Sequence, residues 1–365
     1  MILKNLWRRR VRTSLTIGGI AIGISVVVAL LMMADALADQ FSDLMASGSA
    51  ELSLIQAGIA DTSFSALDEE IGRSISSLPE VEWVSGLLMQ IVALEEKPFF
   101  FVLGLNPQSP AIKDFRVVQG KGLEKEGELL LGRMAADAIR KSQGDTLVIQ
   151  GRAFHIIGIY ETGVGYEDAG GVISLAESQE LFKKESQVSF YQVKVHPEAL
   201  GELEALTEKI EKEFPEVTVY RSSEFGENMP DIQNFRALAG AISFIGLLAG
   251  ALGTMNTILM SVFERTREIG TLRALGWRKR QVLGMILSEA LVLSLGGGVL
   301  GIVLGMGLVA LLNLAPAFSG LLSIKINLSA IVLGLGIALG LGALGGLYPA
   351  WRAACLRPIE ALRYE

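Results

Sequence analysis

Four long stretches without a single charged residue constrain this chain more than any other feature. They cover residues 13–34, 237–263, 290–324 and 326–351. Crossing the hydrocarbon core of a bilayer takes roughly 20 apolar residues in a helix, and each stretch reaches that length. A water-soluble helix needs a polar face, and none of the four supplies one. The third stretch is too long for one simple span. Asn313, Pro316 and Ser319-Gly320 mark its exit, and Lys325 with Asn327 finishes the short loop before the last span. The reading is an integral membrane α-helical protein with four transmembrane helices at 15–37, 237–263, 281–312 and 328–351. Between the first two lies a large globular insertion at 38–236. The first span is too long for a signal-peptide core, and no small-residue cleavage site with a polar exit follows it.

Composition agrees. Half of the 365 residues are hydrophobic, and the mean hydropathy is positive. The net charge of −7 conceals a division. Residues 39–236 hold 17 Lys+Arg and 33 Asp+Glu, a balance of −16, whereas the rest holds 15 and 6, a balance of +9. A nucleic-acid binder pools positive charge in its soluble part, and this chain does the reverse, so nucleic acid is not an expected partner. One cysteine, Cys355, excludes an intrachain disulfide. His155 and His196 stand far apart, with no Cys or His at ligand spacing, so no bound metal is expected.

Orientation follows from Lys and Arg in the short flanks. Lys4, Arg8, Arg9, Arg10 and Arg12 precede the first span. Arg265, Arg267, Arg273, Arg278, Lys279 and Arg280 lie between spans two and three, and Arg352, Arg357 and Arg363 follow the fourth. The loop at 313–327 carries only Lys325. The basic N-terminus at 1–14, the segment at 264–280 and the tail at 352–365 are therefore expected in the cytoplasm. The 38–236 region and the short loop are expected outside.

The insertion reads as mixed α+β. Strands are predicted at 49–55, 81–94, 98–105, 146–150 and 154–160. Helices are predicted at 65–78 and 129–140 and from Pro197 onward, where Leu203, Leu206, Ile210 and Phe214 recur at helical spacing. Gly163 and Gly165 begin a predicted loop. No catalytic constellation appears, and the many acids read as the surface of an exported domain.

Two matches to G-x-G-x-x-G, at Gly296, Gly298, Gly301 and at Gly340, Gly342, Gly345, lie within spans and lack the preceding strand that a phosphate loop requires. Close helix packing explains them better: Gly297, Gly301 and Gly305 recur every four residues, as do Gly336 with Gly340 and Gly342 with Gly346. No G-x-x-x-x-G-K-[ST] loop occurs, so any ATP is expected on another chain. Glu289 is the one acid near the third span. It is read as a carboxylate near the cytoplasmic interface, bonded to a neighbouring helix or reaching headgroups, with a proton or ion site as the alternative.

The most informative segment is ERTREIGTLRALGWRKR, from Glu264 to Arg280. Glu264 and Arg267 stand three apart, as a helix allows. Ile269, Leu272 and Leu275 can form an apolar side, and Gly276 suits a helix end followed by basic residues. A short amphipathic helix between two spans is predicted.

ERTREIGTLRALG resembles the signature cytoplasmic segment of MacB/FtsX-type ABC permeases, a mechanotransmission family. NLWRRRVRTSLTIGGIAIGI, Ser288-Glu289-Ala290 followed by LSLGGGVLGIVLG, and YPAWRAACLRPIEALRYE are similar to the family's first helix, third helix and tail. Leu78-Pro79-Glu80-Val81, Val102-Leu103-Gly104-Leu105, Gly144-Asp145 and Ile156-Ile157-Gly158-Ile159 fit the family's periplasmic core domain more loosely. Trp277 departs from the smaller residues common there. The resemblance implies a stand-alone permease without a fused ATPase, itself no enzyme, which binds no cofactor. ATP and Mg would sit on a cytoplasmic ABC ATPase subunit. It also implies a homodimer, or a heterodimer with a similar permease, in the cell membrane. The coupling residues would be Glu264, Arg265, Arg267, Glu268, Ile269, Gly270, Leu272, Arg273, Leu275 and Gly276. Two functions follow: export of a drug, peptide, lipid or lipoprotein, through a periplasmic adaptor and outer-membrane channel, or activation of a cell-wall hydrolase without transport.

Overall fold

The computed structural model describes residues 10–46, 49–94, 97–315 and 328–357. The basic positions before residue 10, most of the loop at 313–327 and Arg363 lie outside them. The described chain divides into two compact units. One comprises Met1–Met33, Arg236–Leu311 and Ile324–Glu365; the other comprises Ala34–Phe235 and Leu312–Ser323.

In chain order the helices are α1 (Arg10–Met45), α2 (Glu69–Ser76), α3 (Arg133–Ile139), α4 (Gly165–Asp168), α5 (Leu175–Phe182), α6 (Leu203–Glu213), α7 (Phe225–Asn228), α8 (Pro230–Glu264), α9 (Thr266–Ala274), α10 (Lys279–Asn313) and α11 (Leu328–Ala354). The strands are β1 (Leu52–Gln56), β2 (Leu67–Asp68), β3 (Val81–Val92), β4 (Phe100–Leu105), β5 (Arg116–Gly120), β6 (Glu128–Gly132), β7 (Thr146–Ile149), β8 (Arg152–Glu161), β9 (Gly171–Ser174), β10 (Gln187–Val188), β11 (Phe190–Val195) and β12 (Val217–Arg221). Four helices, α1, α8, α10 and α11, are long and apolar enough to cross a membrane. At 36 and 35 residues, α1 and α8 run for about 50 Å, well beyond the hydrocarbon core of about 30 Å.

The globular unit is built on one ten-stranded sheet ordered β12-β1-β11-β3-β4-β9-β6-β8-β5, with β7 paired to β8. Its first four strands are antiparallel neighbours, and α2 and α6 follow β1 and β11 in sequence. That order is a split βαβ pattern, into which β4 to β10 are inserted between β3 and β11. Leu206 and Ile210 of α6 reach the core of this half beside Leu52, Val193 and Val219. The outer face of α6 is exposed, as a solvated face over a core stripe should be. The inserted half has its own core of Phe100, Leu129, Phe154, Ile156 and Ile173. Hydrogen bonds tie the unit to its parts of the long helices. Gly226 N–H donates to Ser42 Oγ at 2.9 Å, Gln192 Nε2 to the Leu44 carbonyl at 2.9 Å, and Thr62 N–H to Asp231 Oδ2 at 3.0 Å.

Three sequence expectations need correction here. Residues 129–140 are not one helix: β6 occupies 128–132 and α3 only the remainder to Ile139. Leu129-Leu130-Leu131 is buried on both faces between β9 and β8, and a fully buried strand has no period-2 signature to distinguish it from a helix. At Gly165 one turn of helix, α4, stands where a loop is predicted. Nor are the acids all surface. Glu128, Glu167, Asp168 and Glu177 are buried. Three of them accept backbone N–H donors: Glu128 from Glu124 and Lys125, Asp168 from Thr162 and Gly163, and Glu177 from Gly127. Burial raises the Glu128 carboxyl pKa, but its two backbone donors and the charges of Lys121 and Lys125 together outweigh that and hold it below the usual range.

Candidate coupling site

The short helix α9 begins where α8 stops for a single residue. Arg265 leaves the helical conformation, with φ −114° and ψ 17°. Thr266 then bonds back through Oγ1 to the carbonyls of Val262 at 3.1 Å and Phe263 at 2.9 Å. The far end is set by Gly276, whose φ of +96° is strained for any residue with a Cβ. The left-handed residue lets Trp277 N–H reach the Leu272 carbonyl at 3.1 Å and Gly276 N–H reach that of Arg273 at 3.2 Å, a Schellman closure. The next helix opens at once: Arg278 N–H donates to Gln281 Oε1 at 2.7 Å, half of a capping box for α10.

This geometry sorts the predicted coupling residues into two groups. Ile269 is fully buried, in a cluster with Ile258 and Val262 of α8, Val282 and Ile286 of α10 and Ala350 of α11. Gly270 is buried beside it in sequence, and Leu272 is half-buried. Arg265 is turned inward: its side chain is 15% exposed, with Nη1 3.2 Å from Glu289 Oε2 and Nε 3.1 Å from Glu268 Oε2. Arg273 is half-buried and donates to the Trp277 carbonyl at 2.8 Å. Its buried Nε has no hydrogen-bond partner among the described residues. Glu264, Arg267, Glu268, Leu275 and Gly276 face outward, and Leu275 is 76% exposed. The side chains of Ile269 and Arg265, both among the predicted coupling residues, are thus turned into the chain.

Glu289 is buried, as sequence reading allows for a carboxylate bonded to a neighbouring element. Beyond Arg265, Ser261 Oγ lies 3.5 Å from Glu289 Oε1. No cluster of metal-ligating side chains occurs among the described residues. Ser261, Thr266, Gln281 and Trp277 are the structural participants that sequence reading overlooked. Only Gln281 had a local signal, standing three residues after a helix start.

The glycine expectations divide too. A Cβ on Gly301 would stand 2.8 Å from the Ala21 carbonyl oxygen, and one on Gly305 would stand 2.8 Å from that of Ser25. A Cβ on Gly297 would stand 2.7 Å from Ile20 Cβ. These three form the seam between α10 and α1. At Gly336 and Gly340 nothing among the described residues lies within 4 Å of a Cβ. Gly342 and Gly346, the other predicted pair of the last span, make close approaches of α11, and Gly334 and Gly345 do so with them. A regular i, i+4 spacing defines a helix stripe but not which way the stripe turns. Both G-x-G-x-x-G matches lie inside α10 and α11.

Two family descriptions match the sequence: the MacB-like periplasmic core domain over residues 13–213, and the FtsX-like permease C-terminal over 240–358. The chain is similar to the pyoverdine export ATP-binding/permease protein PvdT of Pseudomonas putida, 28% identical over 99% of this chain and 58% of that protein. It thus spans little more than half the length of that relative. It is also similar to the uncharacterized ABC transporter permease YvrN of Bacillus subtilis, 25% identical over 99% of this chain and 98% of that one. Among solved structures, the periplasmic region of MacB from Actinobacillus actinomycetemcomitans matches with a TM-score of 0.39 at 14% identity, over 48% of this chain and 90% of that one.

Proposed function

The chain belongs to the MacB/FtsX family of ABC transporter permeases, and from that premise we propose that α9 is the element through which an ABC ATPase drives it. The observation that carries this reading is the outward face of α9. Arg267, Glu268 and Leu275 stand exposed on a helix whose inner face is anchored at Thr266 and Ile269. A helix packed on one side and charged on the other suits a rigid docking peg between two spans. On this reading the ATPase binds ATP and Mg on the cytoplasmic side, the side that the Lys and Arg of this segment favour for α9. Closure of two such ATPases under a pair of permeases moves α9, and α8 and α1 carry the motion past the bilayer to the globular unit. Export is the favoured output, because PvdT is an export protein by name and the globular unit is large. The substrate, an adaptor and an outer channel belong to this proposal, as does pairing with a second permease.

Two variants test docking without disturbing the fold. Leu275→Asp and Arg267→Glu change only exposed side chains, and Lys212→Glu on the outer face of α6 is the control. Interfacial contacts that lose a partner cost about 2–5 kcal/mol when buried. Either variant should cut co-purification of the ATPase in mild detergent severely, with membrane insertion unchanged. Association equal to that of the control in both would refute docking on α9. Sidedness is checked separately: in a Cys355→Ser background, a cysteine at Thr271 should resist impermeant maleimide in intact cells, and one at Lys212 should react.

A further inference from the structure

We infer that Arg265 and Glu289 form a strut that makes α9 and α10 move as one body, so that force arriving at α9 reaches α1 as well as α8. The inference rests on the proposed coupling role of α9 and adds to it an internal route.

Arg265 is the single non-helical residue between α8 and α9, so the chain changes direction there. Its guanidinium does not point outward. It reaches across to α10 and meets a carboxylate that is itself 7% exposed, at 3.2 Å. A buried ion pair is costly to assemble and seldom stabilises more than apolar packing would. What it does supply is a fixed geometry, because either charge left alone in apolar surroundings is strongly unfavourable. At this position the fixed geometry is the angle between α9 and α10. Glu289 also takes the Ser261 hydroxyl of α8, so one carboxylate gathers the end of α8, the bend and α10.

The route continues from α10. Gly297, Gly301 and Gly305 bring its backbone against Ile20, Ala21 and Ser25 of α1 so closely that a Cβ would collide. Such a seam lets one helix push its neighbour without compressible side chains between them. Helix α1 is continuous to Met45 yet is joined to α9 by no nearby chain connection. Helix α8 receives motion from α9 directly, and α1 receives it through the strut and the seam. Both long helices are thereby driven from one docking peg. Arg265 and Glu289 are positioning residues in this scheme: their burial keeps them off the docking face.

The test uses full-length permease in nanodiscs, with and without the ATPase that co-purifies with wild type. Three forms are compared: Glu289→Gln, Arg265→Glu, and the exchange Arg265→Glu with Glu289→Arg. In permease alone, spin labels at Thr271 of α9 and Leu311 of α10 report the angle between the helices, in a Cys355→Ser background. Wild type should give one narrow distance distribution, both single variants a broad one, and the exchange a narrow one again. In the complex, Glu289→Gln should keep ATPase association at the wild-type level while permease-stimulated ATP hydrolysis falls about tenfold, a usual size for a coupling between two sites. Recovery in the exchange separates a specific pair from general damage. Unchanged distances and unchanged stimulation in Glu289→Gln would overturn the strut. Loss of association in Glu289→Gln would assign it to docking instead, and that also overturns the strut. A wild-type permease that binds and stimulates no ATPase would remove the coupling reading itself, whatever the distances show.

Discussion

The two units of this molecule differ in the side chains that make their closest contacts. In the globular unit the buried residues are large: Phe100, Phe154, Phe190, Tyr160 and Ile156 are at or near zero exposure. In the spanning unit the closest contacts are made by small ones: Ala21, Ala338, Ala350 and the glycines of α10 and α11. Ile24, Ile258 and Ile286 are buried with them, while Val303, Leu333 and Leu347 are among the many large side chains that face out. Water drives the first arrangement, because each apolar side chain removed from it is stabilising. Lipid is as apolar as leucine, so helices in it gain from backbone proximity and from paired polar groups. The comparison teaches that burial of a leucine says little about a membrane helix, while burial of a glycine says much.

The sharpest way to break the comparison is to truncate a buried large side chain of the globular unit and an outward-facing one of the spanning unit. Phe154→Ala, at 0% exposure in the inserted half, should cost about 3–5 kcal/mol. Urea-dependent proteolysis of the full chain in detergent measures it. The outward-facing change in the spanning unit, Val303→Ala at 60% exposure, should stay within about 0.5 kcal/mol. Equal costs at the two sites would end the distinction.

Lys97 sharpens the same contrast with a charge. Its Nζ is buried without a hydrogen-bond partner among the described residues, and burial lowers its pKa from 10.5 to about 8. Below pH 8 folded and unfolded chains both carry the charge, and burying it costs stability. Between pH 8 and 10.5 the folded chain has shed a proton that the unfolded chain keeps, so stability rises with pH. Lys97→Met should therefore stabilise the globular unit by about 2–3 kcal/mol at pH 7. That advantage should shrink as pH rises from 8 to 10.5. A pH-independent gain would show that the ammonium is solvated. Glu289, the buried charge of the spanning unit, has Arg265 opposite it, and its removal should destabilise rather than help.

Smaller effects separate the two kinds of glycine. Gly301→Ile should cost about 1–3 kcal/mol by overpacking the seam with α1. Gly340→Ala, in open space, should be neutral to within about 0.5 kcal/mol, or stabilising through helix propensity. Thermal aggregation midpoints of the detergent-solubilised chain would rank them. A loss at Gly340 as large as that at Gly301 would point to a contact made by another chain.

By itself the sequence determined the four spans, the inserted α+β unit and the short helix after the second span. Each rests on local patterns: charge-free length, hydrophobic period, and a glycine placed to end a helix. Gly276 illustrates this best, because its left-handed conformation is a property of one residue and its neighbours. Which face of each element turns inward was decided only in the tertiary structure. Ile269 and Leu275 look alike in an amphipathic pattern, yet one is fully buried and the other 76% exposed. Gly301 and Gly340 look alike as helix glycines, yet only one meets a neighbour. Arg265 reads as one of many basic residues until α10 brings Glu289 to 3.2 Å. The pair is 24 residues apart, and contact at that separation depends on how α8, α9 and α10 pack. Periodicity within one helix carries no record of its neighbours, so inward direction and long-range partners emerge only when the elements meet.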